Sequence, residues 1–281
     1  MIGVVVGCGQ WGKNHLRILK SLNIEVKGCD VIESEACKKF EVKQFIGEYK
    51  YYPEEHDFVV VATPPSSHFP IALKALLIGK HVLIEKPYVM EEEECITLNK
   101  LAVEIQKIIH VDLTFLYDSG FKKLLELRDK FGPVTYINSK RLGGRIQADI
   151  NVVWDLAVHD LYMANELMFP FTIESWEKIK LGSNSSKVSL QYTNGGKVDI
   201  LVSWDHPVRS RSFIIGGEFG IIEYNIDIPE KIKTNLVGVE VEKKEALESL
   251  YIDFFDRIKN NKYSVNLNKY SNLMGILLEL K

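Results

Sequence analysis

Cysteine is scarce in this sequence, with four among 281 residues, and all four lie in about the first third of the chain. Their spacing matches neither a metal-binding motif nor a disulfide framework, so no metal site is expected. Unpaired cysteines are typical of a reducing compartment, and the N-terminal residues lack the features of a secretory signal. A cytoplasmic location is therefore expected.

Long apolar runs and an excess of charge are also missing. No stretch reaches the roughly 18 consecutive apolar residues of a membrane helix. The formal net charge of −3 offers no basic surface to nucleic acid or to an anionic membrane. With 46% hydrophobic and 26% charged residues, the composition is that of a globular protein, and the length allows two domains with separate cores.

The sequence does contain a glycine-rich turn between two expected strands. An apolar run at residues 2–6 predicts a buried strand, and a G-x-G-x-x-G motif follows it, made of Gly7, Cys8, Gly9, Gln10, Trp11 and Gly12. The first glycine permits a tight turn, the second leaves room for a pyrophosphate, and the third lets the next helix lie close to the sheet. The free N–H groups of that helix favour a phosphate.

Asp30 ends the second expected strand, 18 residues after Gly12. A carboxylate there accepts hydrogen bonds from the ribose hydroxyls of NAD and repels the 2′-phosphate of NADP. NAD is therefore the expected cofactor and NADP the less favoured one, although Lys38 and Lys39 leave a phosphate contact open. The alternative is a glycine turn that binds nothing.

Residues 1–113 are expected to form a doubly wound parallel sheet, because apolar strands at 57–62, 81–84 and 108–113 alternate with helices. Ligands bind beyond the carboxyl ends of such strands. Residues expected at those ends, and so in one cofactor crevice, are Gly7, Asp30, Thr63, Pro64, Glu85 and Lys86. His68 either lines the same crevice or lies on a helix surface. His15 is expected to pack or to contact a phosphate.

Residues 114–267 are expected to form an α+β domain with an open, mostly antiparallel sheet, and residues 268–281 a helix that packs back on the first domain. Asn194, Gly195 and Gly196 give a hairpin signal between two of the strands. Ile200, Val202 and Trp204 share one face of a strand. That face is a candidate surface for a homodimer or a homotetramer.

Residues 151–168 predict a helix with one polar stripe. Asp155, His159, Tyr162 and Glu166 follow one another at i, i+4, i+7 and i+11, so they share a helix face. One interpretation is a solvated stripe, or a histidine satisfied by Asp155. The other is a general acid–base histidine oriented by a carboxylate one turn earlier.

Three further charges have two interpretations each. Lys86 is either a solvated turn residue or a contact to a ribose or substrate oxygen, where its ammonium favours a developing alkoxide. Arg141 and Arg145 precede the polar helix. They are either solvated charges or contacts to a substrate diphosphate or carboxylate.

Four motifs in order resemble the glucose–fructose oxidoreductase / inositol dehydrogenase family, called Gfo/Idh/MocA: GCGQWG with Asp30, ATPPSSH at 62–68, EKP at 85–87 and WDLAVHD at 154–160. The resemblance implies a Rossmann domain followed by an α/β domain with an open sheet. It also implies NAD(P)-dependent hydride transfer at a secondary alcohol of a sugar, polyol or nucleotide sugar.

The resemblance places the family's catalytic lysine on Lys86 and its D-x-x-x-H pair on Asp155 and His159. His159 is then the general base, Asp155 orients it, Lys86 bonds the reacting oxygen, and Tyr162 is a candidate substrate contact. Tyr88 is bulkier than expected after EKP and would narrow the pocket. The alternatives are a non-catalytic dinucleotide- or sugar-sensing regulator on the same scaffold and, less favoured, a reductase of double bonds.

Overall fold

The computed structural model describes residues 1–53, 55–147, 149–228, 231–234, 239–263 and 271–280. The chain divides by its contacts into two compact units. The first contains Met1–Asp112 and Leu247–Ser271, and the second contains Leu113–Ala246 and Asn272–Lys281.

The first unit contains a six-stranded sheet in which every neighbouring pair is parallel. Its strands are β1 (Ile2–Val6), β2 (Glu25–Asp30), β3 (Gln44–Ile46), β4 (Phe58–Val61), β5 (His81–Ile84) and β6 (Ile109–Val111). The order β3-β2-β1-β4-β5-β6 reverses direction between β1 and β4. This order confirms the predicted doubly wound sheet, which binds ligands where the order reverses.

Four helices of this unit connect the strands, and they are α1 (Gly12–Ser21), α2 (Glu35–Lys39), α3 (His68–Leu77) and α4 (Glu92–Glu104). The central strands are buried on both faces: Val4, Val5, Val59 and Val60 are 0% exposed. A run of β-branched residues without polar alternation suits such a strand, which explains why these strands could be predicted from sequence.

The second unit contains a seven-stranded sheet in the order β13-β12-β11-β7-β10-β9-β8. Its strands are β7 (Val134–Leu142), β8 (Ile173–Lys180), β9 (Ser185–Tyr192), β10 (Lys197–Ser203), β11 (Ser210–Gly217), β12 (Gly220–Asn225) and β13 (Ile232–Thr234). The pair β7–β10 is parallel and the other five pairs described are antiparallel. Two helices of this unit are α5 (Ser119–Arg128) and α6 (Val158–Met168), the latter preceded by a π-helix (Val153–Ala157).

One face of this sheet is covered within the unit, which corrects the predicted oligomer surface. Ile200 and Val202 are 0% exposed and Trp204 is 5% exposed. The alternation along β10 was predicted correctly, but α6 contacts the sheet at β7 and β10 and the more apolar face is buried. Exposed apolar side chains lie on the other face, among them Tyr136 and Ile214.

The two C-terminal helices differ from the expected domain boundaries. Helix α7 (Ala246–Lys259) belongs to the first unit from Leu247 onward, where Phe254 packs edge-on against Phe58. Helix α8 (Ser271–Glu279) is grouped with the second unit, where the Leu280 carbonyl accepts a hydrogen bond from Lys178 at 2.7 Å. Residues 268–270 and 281 of the expected last helix lie outside the described residues. Among the described helices, none combines the length and apolar content required to span a bilayer.

Candidate functional site

The glycine loop between β1 and α1 has three glycines in three different environments. Gly7 has φ +85°, and a Cβ on it would lie 2.7 Å from the backbone at the end of β4. A Cβ on Gly12 would lie 1.9 Å from the Gly7 carbonyl oxygen, whereas one on Gly9 would meet no described atom within 4 Å. Gly7 and Gly12 are therefore required by packing, and Gly9 leaves the open space that a pyrophosphate requires.

The rest of the loop is held by β2 and the residues after it. The Cys8 N–H donates to Asp30 Oδ2 at 2.7 Å, and Ser34 Oγ donates to the Cys8 carbonyl at 2.8 Å. Gln10 is exposed, as is Trp11 at 54%. The loop is thus fixed before any ligand binds, and its open face together with the Asp30 carboxylate fits the pyrophosphate and ribose of a dinucleotide.

His68 connects the loops that follow β4 and β5. Its Nε2 lies 2.9 Å from the Thr63 carbonyl and its Nδ1 lies 2.8 Å from the Pro87 carbonyl. The ring is 0% exposed, so the helix-surface interpretation is wrong. Burial lowers the pKa of His68, while the two carbonyl acceptors act in the opposite direction. Thr63 Oγ1 also accepts from Ser67, and Pro64 beside it is exposed.

Glu85 and Lys86 follow β5, and the Glu85 carboxylate is buried beneath the chain that carries Lys86. Glu85 Oε2 accepts from the Lys86 N–H at 3.2 Å, and Oε1 lies 3.2 Å from His15 Nε2. Burial acts to raise the pKa of Glu85, but the hydrogen bond and charge of His15, with Lys86 and His68 nearby, outweigh it and the pKa is lowered.

His15 is also 3.7 Å from Asp112 through Nε2 and 2.9 Å from the Tyr251 hydroxyl through Nδ1. This cluster could not be predicted from the sequence, because its members come from segments far apart in the chain. Donor atoms of His15, Glu85 and Asp112 lie within 4.8 Å of one another, close enough to hold an ion. That the protein has no metal site remains a prediction.

Tyr88 lies inside the first unit at 2% exposure, and its hydroxyl donates to Asn99 of α4 at 2.8 Å. The bulk that was expected to narrow a pocket is accommodated in this packing. Its effect on substrate remains a prediction.

In the second unit, the predicted polar helix begins with an irregular turn. Asn151 Oδ1 accepts from the N–H groups of Val153 and Trp154 at 2.9 and 3.0 Å. The π-helix Val153–Ala157 follows and leads directly into α6, whereas the sequence predicted an uninterrupted α-helix. Short π-helical turns inside α-helices are frequent at functional sites.

Asp155 lies on the π-helix and His159 near the start of α6, and both are half-buried. Asp155 Oδ2 accepts from Trp204 Nε1 at 2.7 Å. The His159 ring meets Phe115 edge-on with 4.6 Å between ring centroids, and Arg141 lies 4.4 Å from the centroid of the same Phe115 ring. The contact of Trp204 with Asp155 and that of Phe115 with His159 were not predicted from the sequence.

The three candidate substrate contacts lie in different environments. Arg141 is 2% exposed and bonds Asp160 Oδ1 through Nε at 2.8 Å, while Ser139 donates to Asp160 Oδ2 at 2.6 Å. This buried ion pair excludes the solvated interpretation of Arg141. Tyr162 is 2% exposed, whereas Arg145 is exposed. Side chains alternate between the two faces of β7, and Arg141 lies on the face of the sheet that is covered within the unit. The sequence did not predict Asp160 as the partner of Arg141.

The strand order, the open glycine loop and the carboxylate at the end of β2 define a dinucleotide-binding Rossmann domain. Residues 2–113 match the family model described as "Oxidoreductase family, NAD-binding Rossmann fold", GFO_IDH_MocA. The resemblance to the Gfo/Idh/MocA family is confirmed over these residues, which contain three of the four motifs, and the motif at 154–160 lies outside them.

Two curated relatives show how far the sequence similarity extends. UDP-N-acetylglucosamine 3-dehydrogenase of Acidithiobacillus ferrooxidans is 33% identical over 117 residues, which are 38% of this chain and 34% of that protein. A glycosyl hydrolase family 109 protein of Streptomyces filamentosus is 27% identical over 81% of this chain and 58% of its own length. The matched residues therefore span about a third of the length of the first relative and somewhat more than half of the length of the second.

Solved structures share the whole fold. The structure of the Acidithiobacillus ferrooxidans UDP-N-acetylglucosamine 3-dehydrogenase has a TM-score of 0.79 at 21% identity, covering 92% of this chain and 89% of that one. Scyllo-inositol dehydrogenase of Lactobacillus casei, with NAD(H) and scyllo-inositol bound, has a TM-score of 0.78 at 18% identity, covering 93% and 89%. The predicted fold, a Rossmann domain followed by a domain with a mostly antiparallel sheet, is confirmed.

Proposed function

We propose that this protein is an NAD-dependent oxidoreductase that transfers hydride between nicotinamide and a secondary alcohol or ketone of a sugar, polyol or nucleotide sugar. The observation that carries the proposal is the carboxyl edge of the parallel sheet, where the open loop at Gly9 follows β1, Asp30 ends β2 and Lys86 follows β5. The names of the relatives, a nucleotide-sugar dehydrogenase and an inositol dehydrogenase, support this substrate class.

Asp30 supports the preference for NAD over NADP. Its carboxylate is already oriented by the Cys8 N–H, and the two residues after it, Val31 and Ile32, are apolar and exposed at 65% and 68%. A 2′-phosphate would meet a negative charge at this position rather than a cationic partner.

Bound NAD would supply the hydride acceptor for alcohol oxidation. His159 takes the proton of the reacting hydroxyl, and Asp155 stabilises the resulting imidazolium. Lys86 donates a hydrogen bond to the reacting oxygen, where its charge stabilises the developing alkoxide. Arg145, exposed before the π-helix, is the candidate contact for a phosphate or carboxylate of the substrate.

The cellular context is part of the same proposal. All four cysteines are unpaired, which supports a reducing cytoplasm. A homodimer or homotetramer would form through the sheet face that carries Tyr136, Ile214 and Ile221, which are 40%, 39% and 63% exposed.

The test combines cofactor binding with turnover on the full chain. Calorimetric titration with NAD and NADP should give a dissociation constant at least about tenfold lower for NAD, since one unfavourable charge contact costs about 1.4 kcal/mol or more. A panel including UDP-N-acetylglucosamine and scyllo-inositol is then followed by NADH absorbance. Oxidation of one panel member supports the proposal, with Lys86→Ala as the inactive control.

Two results would favour other functions. Tight NAD binding without turnover of any panel member, in either direction, would favour the regulatory alternative. Release of sugar from a glycoside without net NADH formation would favour a hydrolase, in line with the name of the Streptomyces filamentosus relative.

A further inference from the structure

The Lys86 main chain is held from two sides inside the first unit. Its N–H donates to Glu85 Oε2 at 3.2 Å, and the carbonyl of the next residue, Pro87, lies 2.8 Å from His68 Nδ1. Glu85 is 7% exposed and His68 is 0% exposed, so both contacts are shielded from water. Hydrogen bonds in such surroundings are stronger than at a surface.

His15 contacts the Glu85 carboxylate directly. It lies on α1, three residues after the last glycine of the loop, and its Nε2 faces Glu85 Oε1 at 3.2 Å and Asp112 Oδ2 at 3.7 Å. Carboxylates accept hydrogen bonds, so this nitrogen carries the proton. Nδ1 lies 2.9 Å from the Tyr251 hydroxyl of α7, and the two rings meet edge-on. The imidazole is therefore fixed in position and orientation.

Without His15, burial would dominate at Glu85. Burial is the largest influence on its pKa and raises it, while the His15 hydrogen bond and charge are the next largest and lower it. Among the described residues, the charged or titratable groups that face Glu85 are His15, Lys86, His68, Asp112 and Tyr251. Loss of the His15 donor would thus leave Glu85 protonated over a wider pH range.

We propose that His15 and Glu85 are positioning residues for Lys86, the group that bonds the reacting oxygen in the proposed function on which this inference rests. His15 keeps Glu85 ionised, and ionised Glu85 fixes the Lys86 main chain through its N–H. The helix that begins at the glycine loop is thereby connected to the catalytic lysine.

The first measurement reads Lys86 directly and needs no turnover. Competitive acetylation of the full chain with trace acetic anhydride, quantified by mass spectrometry across pH, reports the reactivity of the Lys86 amine. Lys86 of His15→Leu should be labelled about three- to tenfold faster than that of wild type at neutral pH, because its main chain is then held less firmly and its side chain is more accessible to the reagent. His15→Gln keeps an N–H donor and should stay within about twofold of wild type.

Two variants make the result interpretable. Glu85→Gln has nearly the same shape as protonated Glu85 and should be labelled fast at every pH, which also covers the case in which His15→Leu does not fold. His81→Gln removes a histidine that accepts the Ile108 N–H at the opposite end of β5, and it should be labelled like wild type. Labelling of His15→Leu and Glu85→Gln at the wild-type rate would overturn the proposal.

Kinetics then connect the cluster to the reaction. In His15→Leu, kcat should fall about tenfold to a hundredfold, as for other mispositioned catalytic groups. KM for NAD should stay within about twofold, and kcat should recover as rising pH ionises Glu85. If the variants are labelled as expected but wild type oxidises no panel member, the proposed function is contradicted. The proposed effect of His15 and Glu85 on Lys86 would still stand. Dialysis against EDTA should change neither readout, and a loss restored by a divalent ion would identify a metal site instead.

Discussion

At the scale of single residues, glycine serves two different purposes in the glycine loop. Gly12 is required because the Gly7 carbonyl lies where a Cβ on residue 12 would be placed, whereas the space beside Gly9 is open. The motif spacing predicted both roles. The contacts of His15 with Glu85 and Tyr251 could not be predicted, since 70 and 236 residues separate the partners and each side chain alone is unremarkable.

The two glycines should therefore respond differently to alanine. Gly9→Ala should keep the melting temperature of wild type and weaken NAD binding at least about tenfold, equivalent to about 1.4 kcal/mol. Gly12→Ala should lower the melting temperature by several degrees, because the Cβ would overlap backbone. Calorimetry and thermal melts of the same preparations separate the effects. Unchanged NAD affinity in Gly9→Ala would contradict a pyrophosphate at this position.

At the scale of secondary structure, the π-helix before α6 is the element that the sequence described least well. The pattern of residues 151–168 predicted a helix with one polar stripe, and that much is correct. The wider turn has a tertiary contact, in which Trp204, directly after β10, donates to Asp155. Local propensity cannot report such a contact. The spacing of Asp155 and His159 therefore spans a π-to-α junction instead of one regular turn.

Trp204→Phe tests whether this contact serves the chemistry. The ring keeps most of the buried surface, but Asp155 loses its indole donor, so kcat should fall about tenfold if Asp155 must be oriented. NAD affinity should not change, because the proposed pyrophosphate and ribose contacts are at Gly9 and Asp30. Trp176→Phe on β8 of the same sheet is the matched control. Wild-type kcat in a folded Trp204→Phe variant would show that the hydrogen bond is structural.

At the scale of the whole molecule, sequence patterns predicted both sheets but not which face of the second sheet is covered. Strand alternation identifies two faces, and only packing decides which of them meets a helix. The same limit applies to the C-terminal helices: the aromatic residues of α7 find partners in the first unit, which its amphipathic pattern alone does not specify.

The first unit should lose stability in mild acid. Burial lowers the pKa of His81 to about 4 and of His110 to about 3, from an ordinary value of 6.5, and also lowers that of His68. Between the ordinary pKa of 6.5 and the lowered pKa of each histidine, the unfolded chain binds more protons than the folded one. The free energy of unfolding therefore falls as pH decreases from 6.5 toward 4. Below pH 4.5 the lowered pKa of Glu85 acts in the same direction.

Urea midpoints measured across this pH range check the sign. His81→Gln should show a smaller dependence on pH than wild type, because one of the titrating groups is removed. A midpoint that rises on acidification would contradict the buried, neutral state of these histidines.

A single-turnover experiment with a substrate deuterated at the reacting carbon tests the proposed hydride transfer and its general base together. Wild type should transfer deuterium to the nicotinamide ring of NAD. His159→Ala should slow this transfer about 10²–10⁴-fold with unchanged NAD affinity, because the hydroxyl proton has no acceptor. Transfer at the wild-type rate in His159→Ala, on the substrate that wild type oxidises, would contradict the assignment of His159 as general base.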